Sequence, residues 1–133
     1  MTPPGGRQRR RLTATEVDLG VIRQRALLVG GGEASADEAE ASLAELALLT
    51  ETAGADPVEL VAQRRDIPDP ATYVGKGKAE ELRELAEALD VDLVVFDVEL
   101  SPAQQRNLEK LFARDVVDRV ALILDIFGQH AHS

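Results

Sequence analysis

"DLVVFDVELSPAQQRNLEK", Asp92 to Lys110, decides the fold. Its first half is apolar without interruption from Leu93 to Phe96, the pattern of a strand covered on both faces, as in the middle of a parallel sheet. The period then changes. Ser101 stands where a helix is capped, Pro102 at the first helical position, and Gln104 where a capping box takes Glu or Gln. Leu108, Leu111 and Phe112 follow on one helical face. The stretch is one strand followed by one helix.

The same alternation repeats on either side. "RALLVGG" (Arg25 to Gly31) reads as a buried strand ended by glycines. "ASADEAEASLAELALLTETAG" then repeats Ala39, Leu43, Leu46, Ala47 and Thr50 at helical spacing, with Ser35 or Asp37 as the cap and Gly54 as the stop. "PVELVAQRR" (Pro57 to Arg65) predicts a second strand, and after the loop "DIPDPATYV" a second helix carries Ala79, Leu82, Leu85, Ala86 and Leu89 inward. A short fourth strand, "DVVD" (Asp115 to Asp118), leads into "RVALILDIFGQHAHS", whose Leu122, Ile123, Ile126 and Phe127 are expected on one side. Strands alternating with helices through short connections require a parallel sheet, because the crossovers are right-handed. The expected fold is three-layer α/β, a mostly parallel four-stranded sheet flanked by helices, over residues 23–133. Residues 1–22 read as a basic Pro/Gly/Arg arm.

Composition narrows the function. A chain of 133 residues is long enough for one core. It has no Cys, and both histidines, His130 and His132, stand at the end, so neither a disulfide framework nor a structural metal site is expected. With no Trp, one Tyr and three Phe, surface for stacking bare bases is scarce. No run is apolar enough for a secretory signal or a membrane span, and a cytoplasmic protein is expected.

The net charge of -9 hides an asymmetry. Residues 1–25 hold six Arg (7, 9, 10, 11, 23 and 25) against Glu16 and Asp18, a net of +4; the rest keep 9 of the 15 Lys and Arg but 22 of the 24 acids, a net of -13. A basic arm on an acidic body predicts contact with a polyanion through the arm and a few loops rather than over the whole surface.

The loop "YVGKGKAEE" is the chief candidate for such contact, the alternative being that Gly75 and Gly77 are turn residues and the lysines simply solvated. It places Gly75, Lys76, Gly77 and Lys78 against a helix start, where free N–H groups and flexible glycines let a phosphate approach and two lysines neutralise it. Arg64 and Arg65, ending the preceding strand, are expected at the same edge of the sheet, with Tyr73 as a wall. The spacing of a P-loop and its Ser or Thr are absent. "VGGGEAS" lacks the third glycine of a dinucleotide-binding turn. Asp97, at the end of a central strand, occupies the phosphoacceptor place of a receiver domain, but the acidic pair and late lysine of that site have no counterpart. Asp97, Glu99, Ser101 and Gln104 are read as structural. No nucleophile with a paired base stands out, so no catalytic residue is assigned.

Three blocks, "QRRDIPDPATYVGKGKAEEL", "FDVELSPAQQRNLEK" and "VVDRVALILDIFGQHA", in this order, resemble the N-terminal domain of the HflX family of ribosome-associated GTPases. The resemblance covers about residues 24–133. It implies a domain that binds the large ribosomal subunit through ribosomal RNA, in proteins that split or rescue stalled ribosomes and continue into a helical subdomain and a GTPase domain. The GTPase signatures do not occur in these 133 residues, so GTP and magnesium are expected only in such a further domain and no GTPase activity here. Val98, Val120 and Gly128 depart from the family's usual residues. The resemblance makes "GKGK" a signature of the domain, in agreement with an RNA phosphate contact, which the reading of the residues assigns to Lys76, Lys78, Arg64 and Arg65. ATP at the same loop is the alternative, and a remnant that self-associates weakly through its last helix is a third reading.

Overall fold

A computed structural model of the chain describes residues 23–32, 35–62 and 68–131, with side chains described as far as Gly128. The elements run β1 (Gln24–Val29), α1 (Ala36–Ala53), β2 (Ala55–Val61), α2 (Lys76–Leu89), β3 (Leu93–Phe96), α3 (Pro102–Phe112), β4 (Asp115–Asp118) and α4 (Arg119–Ala131). All the strand pairs are parallel, in the order β2-β1-β3-β4. The expected α/β architecture is the observed one. The proposed arm, residues 1–22, lies outside the described residues.

The period of two along each strand sorts the core into two layers. Leu27, Val29, Val94, Phe96 and Val116 face α2 and α3, packing with Ala79, Leu82, Ala86, Leu108 and Phe112. Ala26, Leu28, Leu93 and Val95 face α1 and α4, packing with Leu43, Leu46, Ala53 and Leu122. Every side chain of β3 is buried, which is why its sequence shows no alternation. Phe96 and Phe112 meet as a tilted pair with ring centroids 6.4 Å apart, a geometry that adds to simple burial.

Two elements differ from the sequence reading. β2 spans Ala55–Val61, beginning before Pro57 and ending before Ala62, while Arg65 lies outside the described residues. The strand accepts Pro57 because it is an edge strand and because its register with β1 shifts between Ala26 and Leu27, so the missing N–H falls at a bulge. The second difference is in α4. Leu122 is buried and Ile126 packs against the core, but Phe127 is 65% exposed and Leu124 63%. From Val120 to Phe127 every residue except Asp125 is apolar, so periodicity alone does not say which face turns inward. The sheet does, and it takes Leu122 and Ile126.

Candidate nucleic-acid interface

In a parallel sheet every crossover helix starts at the carboxyl edge of the strands, the edge where open α/β sheets bind ligands. The helix starts at this edge are built differently. Ser35 caps α1, its hydroxyl accepting from the Glu38 amide at 3.1 Å, and Asp37 and Glu38 occupy the first turn. At α3 the full capping box forms: Ser101 Oγ accepts from the Gln104 amide at 3.1 Å and Gln104 Oε1 from the Ser101 amide at 2.9 Å. Both follow the rule that oxygen or negative charge belongs at a helix N-terminus.

α2 breaks that rule. Its cap is Gly75, which offers no side chain, and its first turn holds Lys76 and Lys78 with no acid. Two cations sit where the helix dipole favours an anion. The conformation of Gly75, φ 88° and ψ 157°, is one essentially reserved for glycine. Gly77 is different: it lies within the first turn, and a Cβ added there would meet nothing within 4 Å. The lysines and Gly77 therefore belong to the helix and do not precede it as the sequence reading had them. Lys76 is exposed. Lys78 pairs with Glu81 at 3.5 Å, a surface contact worth about 0–1 kcal/mol and readily exchanged for another anion.

The acids further along α2 are partly engaged. Arg83 donates to Glu80 at 2.9 Å and to Glu87 at 3.1 Å. The hydrogen bond and charge of Glu80 hold the Arg83 guanidinium above its ordinary pKa.

The chain enters α2 through a tight, anchored turn. Asp69 Oδ1 accepts from the amides of Ala71 at 2.7 Å and Thr72 at 3.1 Å, the Asx geometry that "DPAT" encodes. Asp69 and Tyr73 exchange two backbone hydrogen bonds of 2.9 Å, which leaves Tyr73 left-handed at φ 67°. Tyr73 is half-buried and packs on the core, so it supports the loop from below. From α3, Gln104 Nε2 donates to the Asp69 carbonyl at 2.7 Å and Asn107 Nδ2 to that of Ala71 at 3.0 Å.

Closer to the sheet, Asp97 is enclosed. Its side chain is fully buried, accepting from Arg119 Nε at 2.9 Å and from the Ser42 hydroxyl. Arg119 also reaches Glu45 at 2.8 Å. Gly31 lies directly on this strand end: a Cβ there would collide with Val98 Cγ1 and stand 3.0 Å from the Asp97 carbonyl oxygen. Gly31 thus allows the chain after β1 to pack closely on the end of β3. Asp118 ties the same region, accepting from Leu100 N at 2.8 Å and from Ala121 N at 2.9 Å.

Of the residues singled out from sequence, Tyr73, Gly75, Lys76, Gly77 and Lys78 form one continuous segment, while Arg64 and Arg65 lie outside the described residues. Glu99 is exposed. Sequence reasoning missed Asp69, Asn107 and Arg119. Asp69 was legible in the Asp-Pro pair; Asn107 and Arg119 act across distance in sequence and leave no local signal. Among the described residues no group of His, Asp and Glu has the arrangement to hold a metal ion.

A family model described as "GTP-binding GTPase N-terminal" matches residues 40–128. A GTPase HflX from Lacrimispora saccharolytica is 44% identical over 115 residues, covering 86% of this chain and 27% of the relative. The chain belongs to the HflX N-terminal domain family. A GTPase HflX from Escherichia coli is 44% identical over 91 residues, covering 68% of this chain and 21% of its own length. The chain thus spans about a quarter of the HflX proteins it matches. The solved structures it resembles include a variant of SsGBP, with a TM-score of 0.63, 22% identity and coverage of 83% of this chain and 33% of that one. A GTP-binding protein from Sulfolobus solfataricus in complex with GDP gives a TM-score of 0.55 at 19% identity, covering 78% of this chain and 30% of that one. At these identities the likeness is one of fold. Among the described residues no helix is long and apolar enough to cross a membrane.

Proposed function

We propose that this HflX-type domain is a ribosome-binding module that holds ribosomal RNA of the large subunit by its phosphates, without GTPase activity of its own. The observation that carries the reading is the start of α2: a glycine cap, two lysines in the first turn and no acid. Such a start is unfavourable in isolation and becomes favourable when an anion takes the place of the missing cap. Departures from local rules of this kind concentrate where a protein binds something. Lys76 and Lys78 supply the charge and Gly75 and Gly77 the close backbone approach; Arg64 and Arg65, outside the described residues, are assigned to the same contact from the sequence alone. The contact is sequence-blind, as phosphate contacts are. Family membership supports the ribosome as the source of the phosphate.

The acidic body keeps binding local, and membrane attachment has no role in this reading. Co-sedimentation with isolated large ribosomal subunits, comparing wild type with Lys76→Glu/Lys78→Glu, tests it. Adding ATP in parallel separates RNA from nucleotide: RNA binding that ATP leaves unchanged supports the module, and binding abolished by micromolar ATP transfers the loop to nucleotide.

A further inference from the structure

The two ends of the Gln104 side chain serve two different elements. Oε1 accepts from the Ser101 amide at 2.9 Å and closes the cap of α3, while Nε2 donates at 2.7 Å to the carbonyl of Asp69, 35 residues earlier. The amide orientation is fixed by its partners, since an N–H needs an acceptor and a carbonyl needs a donor. Gln104 is 8% exposed, so water does not readily replace either bond. Asp69 in turn organises the Ala71 and Thr72 amides and pairs with Tyr73 through the backbone, directly before Gly75.

We propose that Gln104 is a positioning residue for the phosphate-binding end of α2, holding the Asp69–Lys78 segment in register with α3. The inference rests on the phosphate reading for its use, and on geometry alone for the positioning. A capping box is served equally by Glu or Gln. Only Gln donates to the Asp69 carbonyl. A carboxylate in its place would still accept from Ser101 but would set negative charge against a carbonyl oxygen. Gln104→Glu therefore separates the two roles of one side chain: the cap of α3 survives and the hold on the loop does not.

The test is amide hydrogen exchange on the full chain, wild type against Gln104→Glu, with co-sedimentation on large ribosomal subunits alongside. The expected result is exchange about tenfold faster for the amides of Ala71–Lys78, with α3 protected as in wild type and a several-fold loss of subunit binding. Unchanged exchange in the loop would overturn the positioning role. Faster exchange with undiminished subunit binding would overturn its relevance to the ligand. If Gln104→Glu loosens α3 as well, Ser101→Ala is the reference, because it removes the other half of the cap and leaves the Asp69 bond in place: faster loop exchange in Gln104→Glu than in Ser101→Ala supports the positioning role, and equal exchange overturns it. Failure of the phosphate reading looks different: Lys76→Glu/Lys78→Glu then binds subunits like wild type, or wild type does not bind, and the exchange result still decides whether Gln104 positions the loop.

Discussion

Arg119 Nε donates to Asp97 Oδ1 at 2.9 Å, and this bond joins the first residue of α4 to the carboxyl end of β3. The partners are unequal: the Asp97 side chain is fully buried, whereas that of Arg119 is 23% exposed and has Glu45 as a second partner. Removing the guanidinium takes a charge-assisted bond from a buried carboxylate and leaves it the Ser42 hydroxyl. Arg119→Ala should therefore cost about 3 kcal/mol, the lower end of the range for breaking buried pairs because Arg119 itself is partly solvated. Arg119→Lys should recover little, since a single ammonium does not span Asp97 and Glu45 as the guanidinium does. Urea unfolding of the three proteins measures both.

The cap of α3 gives a second prediction. Both bonds of its capping box are present, so Ser101→Ala should destabilise by about 0.5–2 kcal/mol. A change in unfolding midpoint below what about 0.3 kcal/mol produces would mean that Pro102 alone fixes the helix start.

The glycines of the candidate site should respond in opposite senses. Gly77 sits in a helical turn with open space around it, so Gly77→Ala should stabilise by about 0.5–1 kcal/mol while weakening large-subunit binding if the phosphate approaches the backbone there. Gly75 holds φ 88°, and Gly75→Ala should destabilise by about 1–3 kcal/mol. Thermal melts of the two variants, moving in opposite directions, would establish which glycine serves the fold.

The exposed side of α4 separates self-association from folding. Ile126 packs on the core, so Ile126→Asn should lower stability by about 1–3 kcal/mol. Leu124 and Phe127 face outward, and Leu124→Ser should stay within about 0.5 kcal/mol of wild type. Any concentration-dependent association seen in sedimentation velocity should vanish in Leu124→Ser. Association that persists there and disappears only in Ile126→Asn would contradict this placement of the helix.

Elements whose signals are local were legible in the sequence. The buried run of β3, the cap of α3 and the stop at Gly54 are written in adjacent residues, and together they specify a parallel α/β sheet. The faces of α4 were not legible, because a helix apolar nearly all round carries no phase. The extent of β2 was obscured by a proline that an edge strand at a bulge can accept. At the candidate site the Gly-Lys alternation was visible, but its place inside the first turn was not, since lysine and glycine are poor signals for a helix start. The anchoring of that segment by Gln104 and Asn107 depends on packing α2 against α3, which no local pattern encodes.

The central claim is that the first turn of α2 holds RNA phosphate. Its most direct test is co-sedimentation of the chain with isolated large ribosomal subunits across a salt series, for wild type and Lys76→Glu/Lys78→Glu. Each phosphate that the double variant no longer neutralises should reduce the magnitude of the log–log salt slope by about 0.7–0.9. The account predicts salt-sensitive binding by wild type, with a shallower slope and at least tenfold weaker binding in the double variant. Equal binding and equal slopes for the two proteins, or no binding by wild type at low salt, would contradict it.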